Sequence, residues 1–142
     1  MSGEYFSWLS HDDSYYSDKI EMQINYLHGS EDKNIILYGD VEFIDEHSKT
    51  LEVKKFDHEM LNKKPLYSLL RGQISGCTLL IPKTALIGFG GFDVNLKTTQ
   101  DYDLWYKLIT KIPFIHLDLV GVKSRIHSLQ THPVAIPARF RR

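Results

Sequence analysis

Apolar and polar positions along the chain follow two periods, one typical of strands and one typical of helices. Short apolar runs bounded by polar clusters predict strands, and apolar spacings of three and four residues predict amphipathic helices. Strands are expected at residues 5–10, 35–44, 50–56, 76–82 and 115–122. Helices are expected at residues 17–29, at 57–72 with a break at Pro65, at 83–86, and from a cap at Thr98 or Thr99 to about residue 111. Strands that alternate with helices indicate an α/β architecture.

Two of these helices carry the clearest signals. In the helix that begins near residue 17, Ser17 is a plausible N-cap, and the spacing predicts a buried face made of Ile20, Ile24 and Leu27. In the helix that begins near Thr99, one face is expected to hold a group of four large apolar side chains, Leu104, Trp105, Leu108 and Ile112.

Composition restricts the class of protein. The length of 142 residues fits one compact domain. Lys and Arg number 17 against 18 Asp and Glu, so the net charge of -1 provides no basic field and no nucleic-acid partner is expected. One cysteine excludes an internal disulfide framework, and Cys77 in its apolar run is interpreted as a small buried hydrophobe.

Hydropathy predicts where the protein is found. No apolar run approaches the roughly 20 residues that a membrane-spanning helix needs. The segment Met1–Phe6 lacks the basic and apolar regions of a secretory signal, so a cytoplasmic location is expected. Pro133, Pro137 and the basic end Arg139–Arg142 indicate that residues 133–142 form an irregular tail beyond a domain at residues 1–132.

Two pairs of carboxylates are candidates for chemistry. Asp12 and Asp13 directly follow an apolar strand, at the end where open α/β sheets bind ligands. They are suited to Mg²⁺, but the same pair is also typical of a turn that leads into a helix. Asp101 and Asp103 lie in the first turn of a helix, where one could act as a base or both could simply favour the helix dipole.

Other chemistries find little support in the sequence. None of the seven histidines has the spacing of a zinc-protease helix, and neither a phosphate-binding glycine motif nor a nucleophile elbow is present. His127 could contact a metal or a phosphate, or it could be an ordinary surface histidine. The glycines at positions 88, 90 and 91 predict a flexible loop before the helix of Asp101.

Four segments, taken in order, resemble family 2 glycosyltransferases. The first runs from Gly3 through Asp12 and Asp13 and continues with Asp18, Lys19, Ile20 and Gln23, like the acidic-motif region of that family. The second joins Ser75–Pro82 to Gly90–Asp93, like the acceptor-side segment. The third, Gln100–Trp105, is similar to the start of the base-bearing helix, and the fourth, Arg125–His127 with Gln130, is similar to the closing Arg-x-His segment.

This resemblance implies part of a GT-A fold, an α/β mixed sheet flanked by helices, and inverting transfer of a sugar from a UDP-sugar donor to an acceptor hydroxyl. It implies that Asp12, Asp13 and His127 bind a divalent metal, Mg²⁺ or Mn²⁺, and the donor diphosphate. It implies that Asp101 is the catalytic base. The residues implied on the acceptor side are Gly90, Gly91, Asp93, Gln100 and Trp105.

Two positions depart from the family pattern. Ser10 stands where the acidic motif usually begins with Asp, so the metal would depend on Asp12 and Asp13. Gln100 stands where Glu usually precedes the base, and the loss of that neighbouring negative charge should make Asp101 easier to ionise.

The resemblance also produces expectations for the whole protein. The chain begins at the acidic motif, so residues 1–132 are interpreted as the C-terminal portion of a catalytic domain, with low or no activity in isolation. An exposed strand at Tyr5 predicts a homodimer. A saccharide or lipid-linked acceptor and the basic tail predict peripheral association with the inner membrane face. The alternatives are a non-catalytic binding or assembly module and a metal-dependent phosphohydrolase.

Overall fold

A four-stranded mixed sheet forms the centre of the computed structural model, which describes residues 2–126. The elements are β1 (Tyr5–Phe6), β2 (Ser14–Tyr15), α1 (Lys19–Gly29), β3 (Ile36–Ile44), β4 (Thr50–Lys54), α2 (His58–Lys63), α3 (Pro65–Leu70), a 3-10 turn (Gly76–Thr78), β5 (Ile81–Pro82), α4 (Lys83–Gly88), α5 (Gln100–Ile109) and β6 (Phe114–Arg125). The strand order is β2-β6-β3-β4. β6 runs parallel to β3, whereas β2 and β4 run antiparallel to their neighbours. The predicted α/β architecture with helices against a mixed sheet is confirmed.

β3 is the central element, because all nine of its residues are buried. Ile36 and Tyr38 belong to a core that they share with α2, α3 and α5. Leu37 points to the opposite face, where it packs with Leu27 of α1 and with Leu80. Side chains that alternate along a strand reach both faces of the sheet, so β3 supports two separate cores.

Several elements agree with the sequence prediction. The strand predicted at 35–44 and the helix predicted after Thr98 or Thr99 are present as β3 and α5, and the four side chains predicted to share one face are buried, with Ile112 just beyond the end of α5. The predicted break at Pro65 is also present, since α2 ends at Lys63 and α3 begins with that proline. Long, regular patterns therefore identified the two elements that support most of the fold.

The strands predicted at 5–10 and 76–82 are shorter than expected. Only Tyr5–Phe6 is a strand, paired antiparallel with Ile81–Pro82, while Trp8 is 39% and Leu9 37% exposed. Residues 76–78 form a 3-10 turn, because the Thr78 hydroxyl and N–H both donate to the Ser75 carbonyl. The strand β2 was not predicted, since its two residues become a strand only by pairing with β6.

The buried face of α1 also differs from the prediction. Leu27 is buried and Ile24 packs beside it as predicted, whereas Ile20 is 38% exposed and Lys19 and Gln23 are buried in addition. Asp18, rather than Ser17, precedes the first helical turn as the N-cap residue. The helix is rotated toward its polar residues because Lys19 and Gln23 find hydrogen-bond partners inside the protein.

A membrane-spanning helix is not found in residues 2–126, where no helix is both long and apolar enough to cross a bilayer. Residues 127–132 of the predicted domain and the predicted tail at 133–142 lie outside the described residues.

Candidate functional site

Asp12 and Asp13 lie in a tight turn of residues 10–13, here called the acidic turn. The Asp13 N–H donates to the Ser10 carbonyl at 3.1 Å, and the Ser10 hydroxyl donates to Asp12 Oδ1 at 2.9 Å. Both aspartates are half-buried. The segment thus has the internal hydrogen bonds of an ordinary turn, which is one of the two interpretations of this aspartate pair. It also presents two carboxylates side by side.

Asp13 attaches the acidic turn to the carboxyl end of β6. Its Oδ1 accepts the N–H of Arg125 at 2.9 Å, and its Oδ2 accepts the thiol of Cys77 at 3.5 Å. Burial, with the nearby negative charge of Asp13 contributing, raises the pKa of the Cys77 thiol to about 11, so Cys77 stays protonated as a donor. The turn therefore lies where the parallel strands β3 and β6 both end, the edge at which open α/β sheets bind ligands.

Four aromatic side chains, here called the aromatic cluster, connect the acidic segment to the later predicted segments. Trp8 precedes the acidic turn, and its ring centroid lies 6.0 Å from that of Phe92, which follows the glycine loop. Phe92 also contacts Trp105 of α5 at 5.8 Å and Phe6 of β1 at 6.1 Å, with edge-to-face geometry. Three of the four segments that carry the resemblance thus meet in one place.

Gly76 lies between the two tryptophans. A Cβ atom at this position would lie 3.3 Å from Trp105 Nε1 and 3.5 Å from Trp8 Cε3. Trp105 is only 1% exposed, and its Nε1–H has no hydrogen-bond partner among the described residues. The small residue therefore allows α5 to approach the segment that carries Cys77, the neighbour of Asp13.

Asp101 is half-buried in the first turn of α5, one helical turn before Trp105. Residues four apart share a helix face, so Asp101 lies on the side of α5 that packs toward Gly76 and the acidic segment. Asp103 differs, because its Oδ2 accepts Lys107 Nζ at 2.6 Å. Of the two carboxylates in this helical turn, Asp101 shares the helix face of Trp105, and Asp103 is engaged in an ion pair.

The glycine loop has the backbone geometry that its sequence predicts. Gly90 and Gly91 have φ angles of 80° and 68°, in the left-handed region that favours glycine. Asp93 accepts the N–H of Asn95 at 2.9 Å and its side-chain amide at 3.0 Å, which lowers the pKa of the Asp93 carboxyl. Gln100 donates its side-chain amide to the Leu96 carbonyl. These polar side chains stabilise the loop before α5, and their predicted acceptor role remains a prediction.

A separate cleft of about 540 Å³ lies on another side of α5. It is open and mainly apolar, and its lining residues come from α3, from the loop before α5 and from α5 itself: Leu69, Leu70, Leu96, Thr99, Tyr102, Asp103 and Tyr106. Asp101 does not line this cleft. The proposed base and the cleft thus belong to different sides of the same helix.

Lys19 is a site neighbour that the helical pattern did not single out. The residue is 1% exposed. Its ammonium donates to Ser7 Oγ at 3.1 Å and to Gln23 Oε1 at 3.0 Å, and lies 4.4 Å from the centre of the Tyr15 ring. Burial lowers the pKa of Lys19 to about 8. Gln23 in turn donates to the Thr78 carbonyl at 3.0 Å. The network links the segments on either side of the acidic turn, and the only signal for it was the position of Lys19 and Gln23 in the resemblance.

The metal hypothesis can be compared with the observed side chains. Across residues 2–126, no group of three His, Cys, Asp or Glu side chains could hold a metal ion. The third predicted ligand, His127, lies outside the described residues. Two adjacent, half-buried carboxylates remain, which fits the one or two carboxylates by which Mg²⁺ is bound together with substrate phosphates.

Curated proteins of Rickettsia are similar to nearly the whole chain. An uncharacterized glycosyltransferase of Rickettsia felis is 50% identical over 134 residues, which is 92% of this chain and 22% of the relative. Uncharacterized glycosyltransferases of Rickettsia typhi and Rickettsia prowazekii are 46% and 47% identical, over 96% of this chain and 44% of each relative. The chain thus spans less than half the length of these relatives. No family model matches it.

Proposed function

We propose that the chain is part of a GT-A glycosyltransferase of the family 2 type, which transfers a sugar from a UDP-sugar to an acceptor hydroxyl with inversion. One observation carries the proposal: the face of α5 that holds Asp101 packs through Trp105 and Gly76 toward Cys77, whose thiol contacts Asp13. The helix of the proposed base and the acidic turn therefore belong to one packed unit. The names of the Rickettsia relatives support a glycosyltransferase role in general.

In this proposal Asp12 and Asp13 hold Mg²⁺ or Mn²⁺, and His127 completes the site and contacts the donor diphosphate. When bound, the metal supplies positive charge that stabilises the leaving diphosphate. Asp13 is already fixed by one hydrogen bond to each carboxylate oxygen, and each oxygen can accept a further interaction. The protein would thus present the two carboxylates with little reorganisation.

Asp101 acts as the base. It removes the proton from the acceptor hydroxyl, whose oxygen then bonds to the anomeric carbon while the bond from that carbon to the diphosphate breaks. UDP leaves with the bonding electrons, and the proton remains on Asp101. Attack opposite to the leaving group inverts the anomeric configuration.

The acceptor side of this proposal consists of Gly90, Gly91, Asp93, Gln100 and Trp105. They lie in or next to the loop and helix that carry the aromatic cluster. The acceptor is proposed to be a saccharide or a lipid-linked sugar, and the latter would bring the protein to the inner membrane face. A homodimer and low activity of the chain by itself stay predictions.

Calorimetric titration with Mn²⁺ and UDP tests the proposal against a non-catalytic binding or assembly module. The unmodified chain is expected to bind UDP only when Mn²⁺ is present. Asp12→Ala combined with Asp13→Ala is expected to abolish this binding. Glu21→Ala combined with Glu31→Ala removes the same charge from exposed positions on α1 and just after it, and should leave binding intact.

Two results would contradict the proposal. No binding of Mn²⁺ or UDP by the unmodified chain would favour the assembly module. Equal loss of binding in both double variants would show that overall charge, rather than the acidic turn, attracts the metal. A phosphohydrolase is the weaker alternative, because a two-metal centre needs more ligands than the described residues bring together.

A further inference from the structure

Arg125, the last residue of β6, binds the acidic turn with both its backbone and its side chain. Its N–H donates to Asp13 Oδ1 at 2.9 Å, and its Nε donates to the Asp12 carbonyl at 3.2 Å. The first bond fixes a carboxylate, and the second fixes the backbone of the neighbouring residue. Both aspartates of the proposed metal site are therefore attached to a single residue of the sheet.

The other nitrogens of the same guanidinium bind the turn between β3 and β4, residues 45–49. One donates to the carbonyls of Asp45 and Glu46, at 2.7 and 3.2 Å, and the other donates to Ser48 Oγ at 3.1 Å. The turn has its own internal bonds, since the Asp45 carboxylate accepts the N–H groups of His47 and Lys49 at 2.9 and 2.8 Å. The guanidinium thus bridges two structured turns.

We infer that Arg125 is a positioning residue that fixes the acidic turn against the β3–β4 turn and thereby sets the geometry of the Asp12 and Asp13 carboxylates. The metal-binding part of this inference rests on the proposed function, whereas the bridging part does not. It follows that the β3–β4 turn belongs to the site as a support, although nothing in its own sequence pattern indicated this.

The chemistry of the side chain explains why arginine is needed. A guanidinium is a rigid planar fork with five donors, so it can hold oxygens on two sides at fixed angles. A lysine ammonium at the same place is a compact point charge and could serve one turn at a time. Partners behind metal ligands typically affect metal affinity by about 10–100-fold when removed, because ligand orientation is lost.

Three variants of the 142-residue chain test the inference. Arg125→Ala removes the bridge, Arg125→Lys keeps the charge without the fork, and Lys123→Ala is the matched control. Lys123 lies two residues earlier on the same strand, and its Nζ is 4.0 Å from Glu42 Oε2. Each variant is compared with the unmodified chain by amide hydrogen exchange and by Mn²⁺ binding measured with electron paramagnetic resonance.

Arg125→Ala is expected to speed exchange in both the acidic turn, residues 10–13, and residues 45–49 by about tenfold or more, while β3 remains protected. It should weaken Mn²⁺ binding by about 10–100-fold. Arg125→Lys is expected to restore the protection of one turn at most. Lys123→Ala should leave the exchange of both turns and the Mn²⁺ affinity within about twofold of the unmodified chain.

Unchanged exchange in both turns of Arg125→Ala would overturn the inference, and so would full restoration of both turns by Arg125→Lys. If Arg125→Ala also loses protection in β3, the variant is unfolding, and the lysine variant then decides. Failure of the unmodified chain to bind Mn²⁺ would remove the metal from the proposed function, and the exchange rates would still decide the role of Arg125.

Discussion

Lys19 shows how much a single side chain near the acidic turn depends on its surroundings. The aliphatic stem of Lys19 packs against Gly121, where a Cβ atom would lie only 3.0 Å from Lys19 Cγ. Its hydrogen bonds to Ser7 and Gln23 are to neutral oxygens, and burial lowers its pKa from 10.5 to about 8. The folded protein therefore releases this proton at a lower pH than the unfolded chain does.

This difference predicts a pH-dependent stability. Between about pH 8 and 10.5 the folded state has lost the Lys19 proton while the unfolded state keeps it, so stability should rise with pH. Cys77 acts in the opposite direction, because burial raises its pKa from 9.0 to about 11. Above pH 9 the unfolded chain loses this proton before the folded state does, so the free energy of unfolding falls. The measurement therefore belongs in a Cys77→Ala background.

Two proteins are compared, Cys77→Ala alone and Cys77→Ala combined with Lys19→Met. Between pH 7.5 and pH 9.5 the urea midpoint of the first should rise relative to that of the second. The methionine has a similar length and no titrating group, so it is the matched reference. Parallel midpoints across this range would mean that the two states bind the Lys19 proton equally, contrary to its burial in the folded state.

At the scale of elements, a chain of hydrogen bonds attaches α2 to the sheet. His116 Nε2 of β6 lies 2.9 Å from Asp40 Oδ1 of β3, and the two side chains are 0% and 1% exposed. The other ring nitrogen of His116 lies 2.9 Å from Nδ1 of His58 on α2. Asn62 adds two bonds to the backbone of His116, at 2.8 and 3.2 Å. The docking of this short helix thus depends on polar as well as apolar contacts.

Asp40→Ala should consequently lower the free energy of unfolding by about 1–3 kcal/mol, because it leaves the His116 imidazole buried without its acceptor. Asp118→Ala is the control. Asp118 lies on the same strand as His116 and pairs with Lys55 at 3.1 Å, but both side chains are mostly exposed, so its unfolding midpoint should barely move. Similar midpoints for the two variants in urea would contradict the structural role of Asp40.

The same elements show which parts of the fold a sequence pattern can predict. β3 and α5 were predicted because each has a long, regular apolar pattern that packing merely reinforces. The pairing of Asp40 with His116 spans 76 residues and leaves no local signal. The face of α1 was assigned correctly at Ile24 and Leu27 but missed Lys19 and Gln23, because a buried lysine looks the same in sequence as a solvated one.

The candidate site also contains residues that the sequence pattern predicts and residues that it does not. The positions of Asp12, Asp13 and Asp101 came from motif order, and the structure places them in elements that pack together. The role of Arg125 could not be predicted, because its partners belong to turns that are distant in sequence and meet only when β6 lies beside β3. Contacts that hold a site are set by tertiary structure, whereas the side chains that do chemistry are marked by residue type.

At the scale of the whole molecule, both cores depend on the close pairing of β3 with β6. The register of this pairing shifts on either side of Asp40, next to Gly39. A Cβ atom on Gly39 would lie 2.4 Å from the backbone oxygen of Leu119. The backbone oxygen cannot move aside like a flexible side chain, so only glycine lets the two strands approach this closely.

Gly39→Ala should therefore destabilise the whole molecule, by at least about 2 kcal/mol, since separating β3 from β6 disturbs the cores on both faces at once. Gly88→Ala is the matched control, because a Cβ atom there meets nothing within 4 Å. Native-state hydrogen exchange can distinguish a global from a local effect. In Gly39→Ala, amides of α1 on one face and of α5 on the other should lose protection by the same factor. Loss confined to one face would mean that the two cores are independent and that β3 does not couple them.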